Sequence, residues 1–228
     1  MKVLRFAFAL VAALVLFSSV QPAAAQSRGH VYLLRGLANV FSLGMDDLAA
    51  KLNARGIPAS VHEYGQWAAL ADAAARSREP VVIVGHSLGA DAAVEMAQRM
   101  TALGAPPRLV VTFDPVGVTQ IGPAAGRFIN YYQSNNGYGK RLAAGPGFRG
   151  NLQNRNLDGA GGLDHFNIEK SPRLHAEVIA SIQSMTAPAR PKPKPAPAAA
   201  PGAEPAATGA APARQSAGAA PAAAAKPM

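Results

Sequence analysis

The most chemically suggestive residue in the sequence is a serine between glycines, in Gly85-His86-Ser87-Leu88-Gly89. It follows a strongly strand-like run, Pro80-Val81-Val82-Ile83-Val84, and precedes an alanine-rich, helix-like stretch. A sharp strand-to-helix turn lifts the hydroxyl of its middle residue clear of the sheet. Gly85 and Gly89 remove side chains that would collide with neighbouring backbone. The Leu88 backbone N–H falls at the helix start, where unpaired donors and the positive dipole end favour an oxyanion. This arrangement suits nucleophilic attack on an acyl carbonyl. The competing structural reading has Ser87 simply capping the helix.

A serine hydroxyl is a weak nucleophile that needs a base, and the base needs an orienting acid. The sequence holds five histidines: His30, His62, His86, His165 and His175. The His86 ring should point away from its neighbour's hydroxyl, and His30 and His62 precede the nucleophile. His175 falls in a terminal helix, where a surface position is expected. His165 lies in a glycine-rich loop just before that helix and is the expected base. Asp114 ends the strand that follows the nucleophile's helix, which puts it on the same sheet edge, and is the expected acid. Asp164 and Asp158 are the runners-up, and a plain Asp-Pro turn at Asp114-Pro115 is the structural alternative. The chain has no cysteine, which excludes a thiolate nucleophile, a disulfide scaffold and a cysteine-ligated metal.

These residues need elements to position them. Val31–Leu34, Ala59–Tyr64, Pro80–Val84, Leu109–Phe113 and Arg127–Gln133 read as strands. Asp46–Arg55, Trp67–Arg76, Ala90–Leu103 and Pro172–Met185 read as helices, with Gly56 and Gly104 as stop signals. Alternating strands and helices predict an α/β fold: a mostly parallel sheet of about five strands, covered by helices on both faces. In such sheets the ligand site lies beyond the carboxyl ends of the strands.

The elbow, the chain order Ser87, Asp114, His165 and the βα alternation resemble the α/β-hydrolase family, in particular its small lipase, esterase and thioesterase-like members. The resemblance covers residues 30 to about 185 and implies a trimmed form of that fold, since no cap-sized insertion separates the strands. It implies cleavage of an ester or thioester of a small-molecule or lipid-like acyl substrate, with no metal or organic cofactor. In that family a second oxyanion donor follows an early strand, often in a His-Gly motif. The matching segment is Leu34-Arg35-Gly36-Leu37-Ala38-Asn39. Gly36 matches, Arg35 replaces the histidine, and the Leu37 amide is the implied second donor. Asn135–Asp164, 30 residues with eight glycines, reads as one long irregular loop. Its segment Asn135-Asn136-Gly137-Tyr138-Gly139-Lys140-Arg141, together with Arg149, is expected to line a polar, basic groove suited to an anionic or carbohydrate-bearing substrate, with a merely solvated loop as the other reading. The alternative is a binding protein of the cell envelope that keeps the fold without turnover.

The ends of the chain differ from its middle. Lys2 and Arg5 precede an apolar run and a small-residue site at Ala23 and Ala25, the pattern of a signal peptide over 1–25 with cleavage before Gln26. Export to the periplasm or medium is therefore expected, with no transmembrane span in the mature form. Residues 187–228 hold 19 alanines and 10 prolines, a composition unable to offset the entropy of ordering. This basic tail could tether the protein to an anionic envelope surface. The formal net charge of +9 resides mostly in these two ends, and no basic stretch is interleaved with aromatics. A nucleic-acid partner is not expected. Residues 26–186 form the expected catalytic domain.

Overall fold

A computed structural model describes residues 29–37 and 42–186. The expected signal segment and tail lie outside the described residues. In chain order the elements are β1 (His30–Arg35), α1 (Gly44–Asn53), β2 (Ala59–Glu63), α2 (Trp67–Ser77), β3 (Val81–His86), α3 (Leu88–Ala102), β4 (Leu109–Phe113), β5 (Gln120–Ile121), β6 (Arg127–Tyr132), β7 (Ala143–Ala144), β8 (Asn151–Asn156) and α4 (Pro172–Thr186). Six strands form one sheet in the order β2-β1-β3-β4-β6-β8, and β5 pairs separately with β7. Every pairing in the large sheet is parallel.

The strand periodicity of two divides the core between the two sheet faces. Val82 and Val84 of β3, with Leu109, Val111 and Phe113 of β4, pack against Met45, Leu48 and Leu52 of α1 and Leu174, Val178 and Ile182 of α4. Their neighbours Val81, Ile83 and Val110 pack against α2 and α3 through Ala71, Ala74, Ala93, Met96 and Met100. All six residues of β3 are buried, so its continuous apolar run is what a strand covered on both faces requires. Ile83→Ala should destabilise the fold by about 2–5 kcal/mol, read as a lowered urea midpoint. Leu103→Ala, at a side chain 51% exposed, should shift stability by at most about 0.5 kcal/mol.

The sheet has six strands rather than the expected five or so, because the supposed irregular loop contains β8. Its sequence, Asn-Leu-Gln-Asn-Arg-Asn, has no apolar run and remains largely exposed at the sheet edge. Polar side chains hold it instead. Thr112, Asn130 and Asn154 stand in register across β4, β6 and β8. Thr112 Oγ1 donates to Asn130 Oδ1 at 2.7 Å, and Asn130 Nδ2 donates to Asn154 Oδ1 at 2.9 Å. Asn154 closes the row by donating to the Leu142 carbonyl and accepting from the Leu142 amide. Such a polar edge also discourages pairing with other chains.

From β1 the chain winds through α1 to β2 on one side; from β3 it winds through α3 to β4 on the other. The reversal opens a crevice at the carboxyl ends of β1 and β3, where open α/β sheets place their ligand sites. Gly36 and Ser87 lie at its two edges.

Candidate active site

Ser87 joins β3 to α3 with φ +58° and ψ −124°. A non-glycine residue at positive φ is uncommon and is held there only by its surroundings. The two glycines of the motif supply that setting. A Cβ on Gly85 would lie 2.1 Å from the Gly89 carbonyl oxygen, and one on Gly89 would lie 2.1 Å from the Leu34 carbonyl oxygen. The turn is thus closed against itself and against β1. The Ser87 amide donates to the Phe113 carbonyl at 2.9 Å, which anchors the turn to β4. Ser87 makes no side-chain cap bond to α3, so the capping reading is set aside and its hydroxyl faces elsewhere.

That hydroxyl meets His165. His165 Nε2 is 3.1 Å from Ser87 Oγ, and His165 Nδ1 is 3.1 Å from Asp114 Oδ2. With the Nδ1 proton donated to the carboxylate, Nε2 is left to accept from the hydroxyl. Asp114 is fully buried at φ +48°. Its Oδ1 accepts from the Gln133 amide at 2.8 Å and its Oδ2 from Asn136 Nδ2 at 2.8 Å. The chain bends at Asp114-Pro115, and the acid's side chain is turned inward rather than onto its own turn. Gln133 extends the support by donating to the Leu163 carbonyl at 3.0 Å, which binds the end of β6 to the loop that carries His165.

The other candidates are occupied elsewhere. Asp158 accepts from the amides of Ser134 and Asn135 and from Asn156 Nδ2. Asp164 accepts from the Phe166 amide at 2.8 Å, shaping the His165 loop from its outer side. His30 and His62 both approach Ser60 Oγ at 2.7 Å, on β1 and β2. His175 departs from its expected surface position: it is 1% exposed. Its Nε2 donates to the Glu169 carbonyl at 2.6 Å, and Nδ1 faces Lys51 Nζ at 2.9 Å. The helical spacing placed it beside the apolar stripe of α4, but only the packing of α1 shows that this side is covered.

Sequence reasoning missed Asp91 in the first turn of α3. Its carboxylate accepts from the amides of Val116, Gly117 and Val118 at 3.2, 2.9 and 3.1 Å. Burial raises its carboxyl above the ordinary range, and the three amide bonds act in the opposite direction. These bonds hold the segment after Asp114 against the cleft. An acid in the first turn of a helix was the available signal, but it is also an ordinary dipole preference.

Ser87 opens into a cleft of about 390 Å³ lined by Leu37, Ser42, His86, Ser87, Leu88, Val116, Tyr138, His165 and Phe166. Both expected oxyanion residues, Leu37 and Leu88, belong to this wall. Gly36 brings the first of them close, since a Cβ there would sit 2.9 Å from Ser87 Cβ. Arg35 turns away into a bidentate pair with Asp46 of α1, so its replacement of a histidine leaves the backbone path free. The glycine-rich segment contributes Tyr138 to the wall; Lys140, Arg141 and Arg149 are not among the lining residues. The expected basic groove is thus corrected to an apolar one. Tyr138 stacks on His165 with ring centroids 4.5 Å apart and planes at 19°. Phe166 meets both rings edge-on. Leu37, Tyr138 and Phe166 are among the most exposed large apolar side chains described, and all three border the cleft.

Among the described residues, no group of three or more histidines and carboxylates is arranged to hold a metal ion.

No protein-family model matches the chain, and no curated protein matches it in sequence. Several solved structures resemble it in fold. Human thioesterase 2 is 11% identical with a TM-score of 0.49, over 70% of this chain and 98% of its own. The RedJ thioesterase of prodiginine biosynthesis in Streptomyces coelicolor is 15% identical with a TM-score of 0.48, over 68% of this chain and 87% of its own. A hydrolase assigned to the alpha/beta superfamily in Xanthomonas campestris pv. campestris is 19% identical with a TM-score of 0.38, over 67% of this chain and 99% of its own.

Proposed function

We propose that this chain is an exported serine hydrolase that cleaves an ester or thioester with an apolar acyl group through an acyl-enzyme. One observation carries the reading: an unbroken Ser87–His165–Asp114 relay, with Ser87 held at positive φ and open to an apolar cleft. Ser87 Oγ attacks the acyl carbonyl while its proton passes to His165 Nε2. Asp114 holds the Nδ1 proton and stabilises the imidazolium. The amides of Leu37 and Leu88 receive the oxyanion. His165 then returns the proton to the departing alcohol or thiol. A water activated by the same nitrogen releases the acid.

The apolar wall supports an uncharged acyl chain, because burying a charge there without a partner is costly. Labelling of the purified protein with a fluorophosphonate tests the reading directly. The expected result is one label per chain on the peptide that carries Ser87, with turnover in a panel of p-nitrophenyl esters and acyl thioesters. No labelling would refute the hydrolase and favour the binding protein that keeps the fold without turnover.

Export and the envelope tether rest on sequence pattern alone, since both segments lie outside the described residues. Among the described residues no helix is long and apolar enough to cross a membrane. N-terminal sequencing of exported protein should begin at Gln26. Equal binding of anionic envelope fractions by the full chain and by a chain ending at Thr186 would rule out the tether.

A further inference from the structure

A second polar chain runs beneath the Ser87 cleft, and the reaction does not use it. The Gly36 amide donates to Ser42 Oγ at 3.0 Å, and Ser42 Oγ lies 2.8 Å from His86 Nδ1. On the other side of the ring, His86 Nε2 lies 2.8 Å from the His165 carbonyl oxygen. A carbonyl only accepts, so His86 carries its proton on Nε2, and Nδ1 accepts from the Ser42 hydroxyl. Burial lowers the His86 imidazole to about 4, which keeps it neutral in this tautomer. The chain therefore ties the loop that carries Leu37 to the loop that carries His165.

Glu169, in the short helical turn Ile168–Lys170, sits against this chain. Its carboxyl is fully buried, and among the described residues neither oxygen has a hydrogen-bond partner. Oε2 is 3.9 Å from His86 Nε2, and Oε1 is 3.7 Å from Lys170 Nζ. The amides of Gly44 and of Glu169 itself favour the anion without reaching hydrogen-bond geometry, and His165 adds to that attraction when charged. From α4, His175 contacts the Glu169 backbone, and Lys51 and Asp47 of α1 act on His175. Asp46 is engaged by Arg35, and Asp114 acts on His86. Burial outweighs the attractions and pushes the Glu169 carboxyl up to about 7.

We infer that Glu169 is a positioning residue that governs His165 through His86. Uncharged, it leaves the His86 Nε2–H on the His165 carbonyl. Ionised, it draws that hydrogen toward its own oxygen and loosens the His165 loop, because a carboxylate is the stronger acceptor. The inference rests on the reading of Ser87 and His165 as the reacting pair. The fall of reactivity on the alkaline side is the part of the pH profile that Glu169 adds.

The test is the rate of Ser87 labelling by a fluorophosphonate across about pH 6 to 9, in the wild type, Glu169→Gln and Lys170→Met. The wild-type rate should drop about tenfold on the alkaline side, and the Glu169→Gln rate should stay level within about twofold. Lys170 is partly exposed, so its variant should fold even if Glu169→Gln does not. Removing that cation should move the alkaline midpoint upward. An alkaline limb unchanged in Glu169→Gln, or a midpoint unmoved in Lys170→Met, overturns the inference. Nitrogen-15 NMR of the histidine rings reads the same event without any reaction. The His86 Nε2 signal should titrate in the wild type with a midpoint near that of Glu169 and stay level in Glu169→Gln. If that titration is present but no label forms, the hydrolase reading fails alone. If label forms but the titration is missing, the role of Glu169 fails.

Discussion

Ser87→Ala should lower kcat by about 10⁵- to 10⁶-fold, abolish fluorophosphonate labelling and leave the thermal midpoint near that of the wild type. The effect is this large because the relay acts as a unit. Without the Oγ there is no atom for His165 Nε2 to activate, and the remaining rate comes from binding and the oxyanion donors alone. The fold should tolerate the change, since Ser87 Oγ caps no helix and among the described residues its hydrogen bond is to His165. The turn is held by the Ser87 amide on Phe113 and by the closed approach of Gly85 and Gly89, neither of which involves the hydroxyl. Circular dichroism and a melting curve check the fold, and a p-nitrophenyl ester assay checks the rate. Turnover within about tenfold of the wild type would show that Ser87 is not the nucleophile.

Asp114→Asn should cost about 10⁴-fold in kcat with little change in KM. The hydrogen bonds around the carboxylate give the reason. The Gln133 amide donates to Oδ1 at 2.8 Å, so the single oxygen of an asparagine remains on that amide. Its NH₂ then faces His165 Nδ1, which must become an acceptor. The imidazole proton moves to Nε2 and points at the Ser87 hydroxyl, where a base is needed. The carboxylate that stabilised the imidazolium is lost in the same step. Asp158→Ala and Asp164→Ala should each leave kcat within about fivefold of the wild type, because their carboxylates accept from Ser134, Asn135, Asn156 and Phe166 and not from the relay side chains. A steady-state comparison of the three variants decides among the acids. A mild Asp114→Asn with a severe loss in either of the others would reassign the role.

The site was more legible in the sequence than its surroundings. A strand-turn-helix with glycines on either side of a serine is a local pattern, and so is an aspartate that closes the next strand. Chain order and the choice among five histidines of the one that lies beside Ser87 and Asp114 needed only the expectation of a parallel sheet. The support for these residues left no local trace. Gln133 looks like the end of a strand and Asn136 like an ordinary loop residue, yet both bond to Asp114. Tyr138 belongs to the segment expected to line the groove, but composition suggested a polar groove while packing set an aromatic ring on His165.

Strand periodicity, helix stops and the elbow motif determined the α/β class, nine of the elements and the positions of Ser87, Asp114 and His165 along the chain, because each is set by residues within a few positions of one another. Tertiary structure alone decided the sixth strand, the burial of His175 and the polar chain from Gly36 to His165 with Glu169 against it. β8 is specified by partners 24 residues away, such as Asn130 for Asn154, and not by its own hydropathy. His86 reaches Ser42 and His165 over separations of 44 and 79 residues. Contacts at that range follow from how the sheet is wound and which faces its helices cover, and no local spacing encodes them.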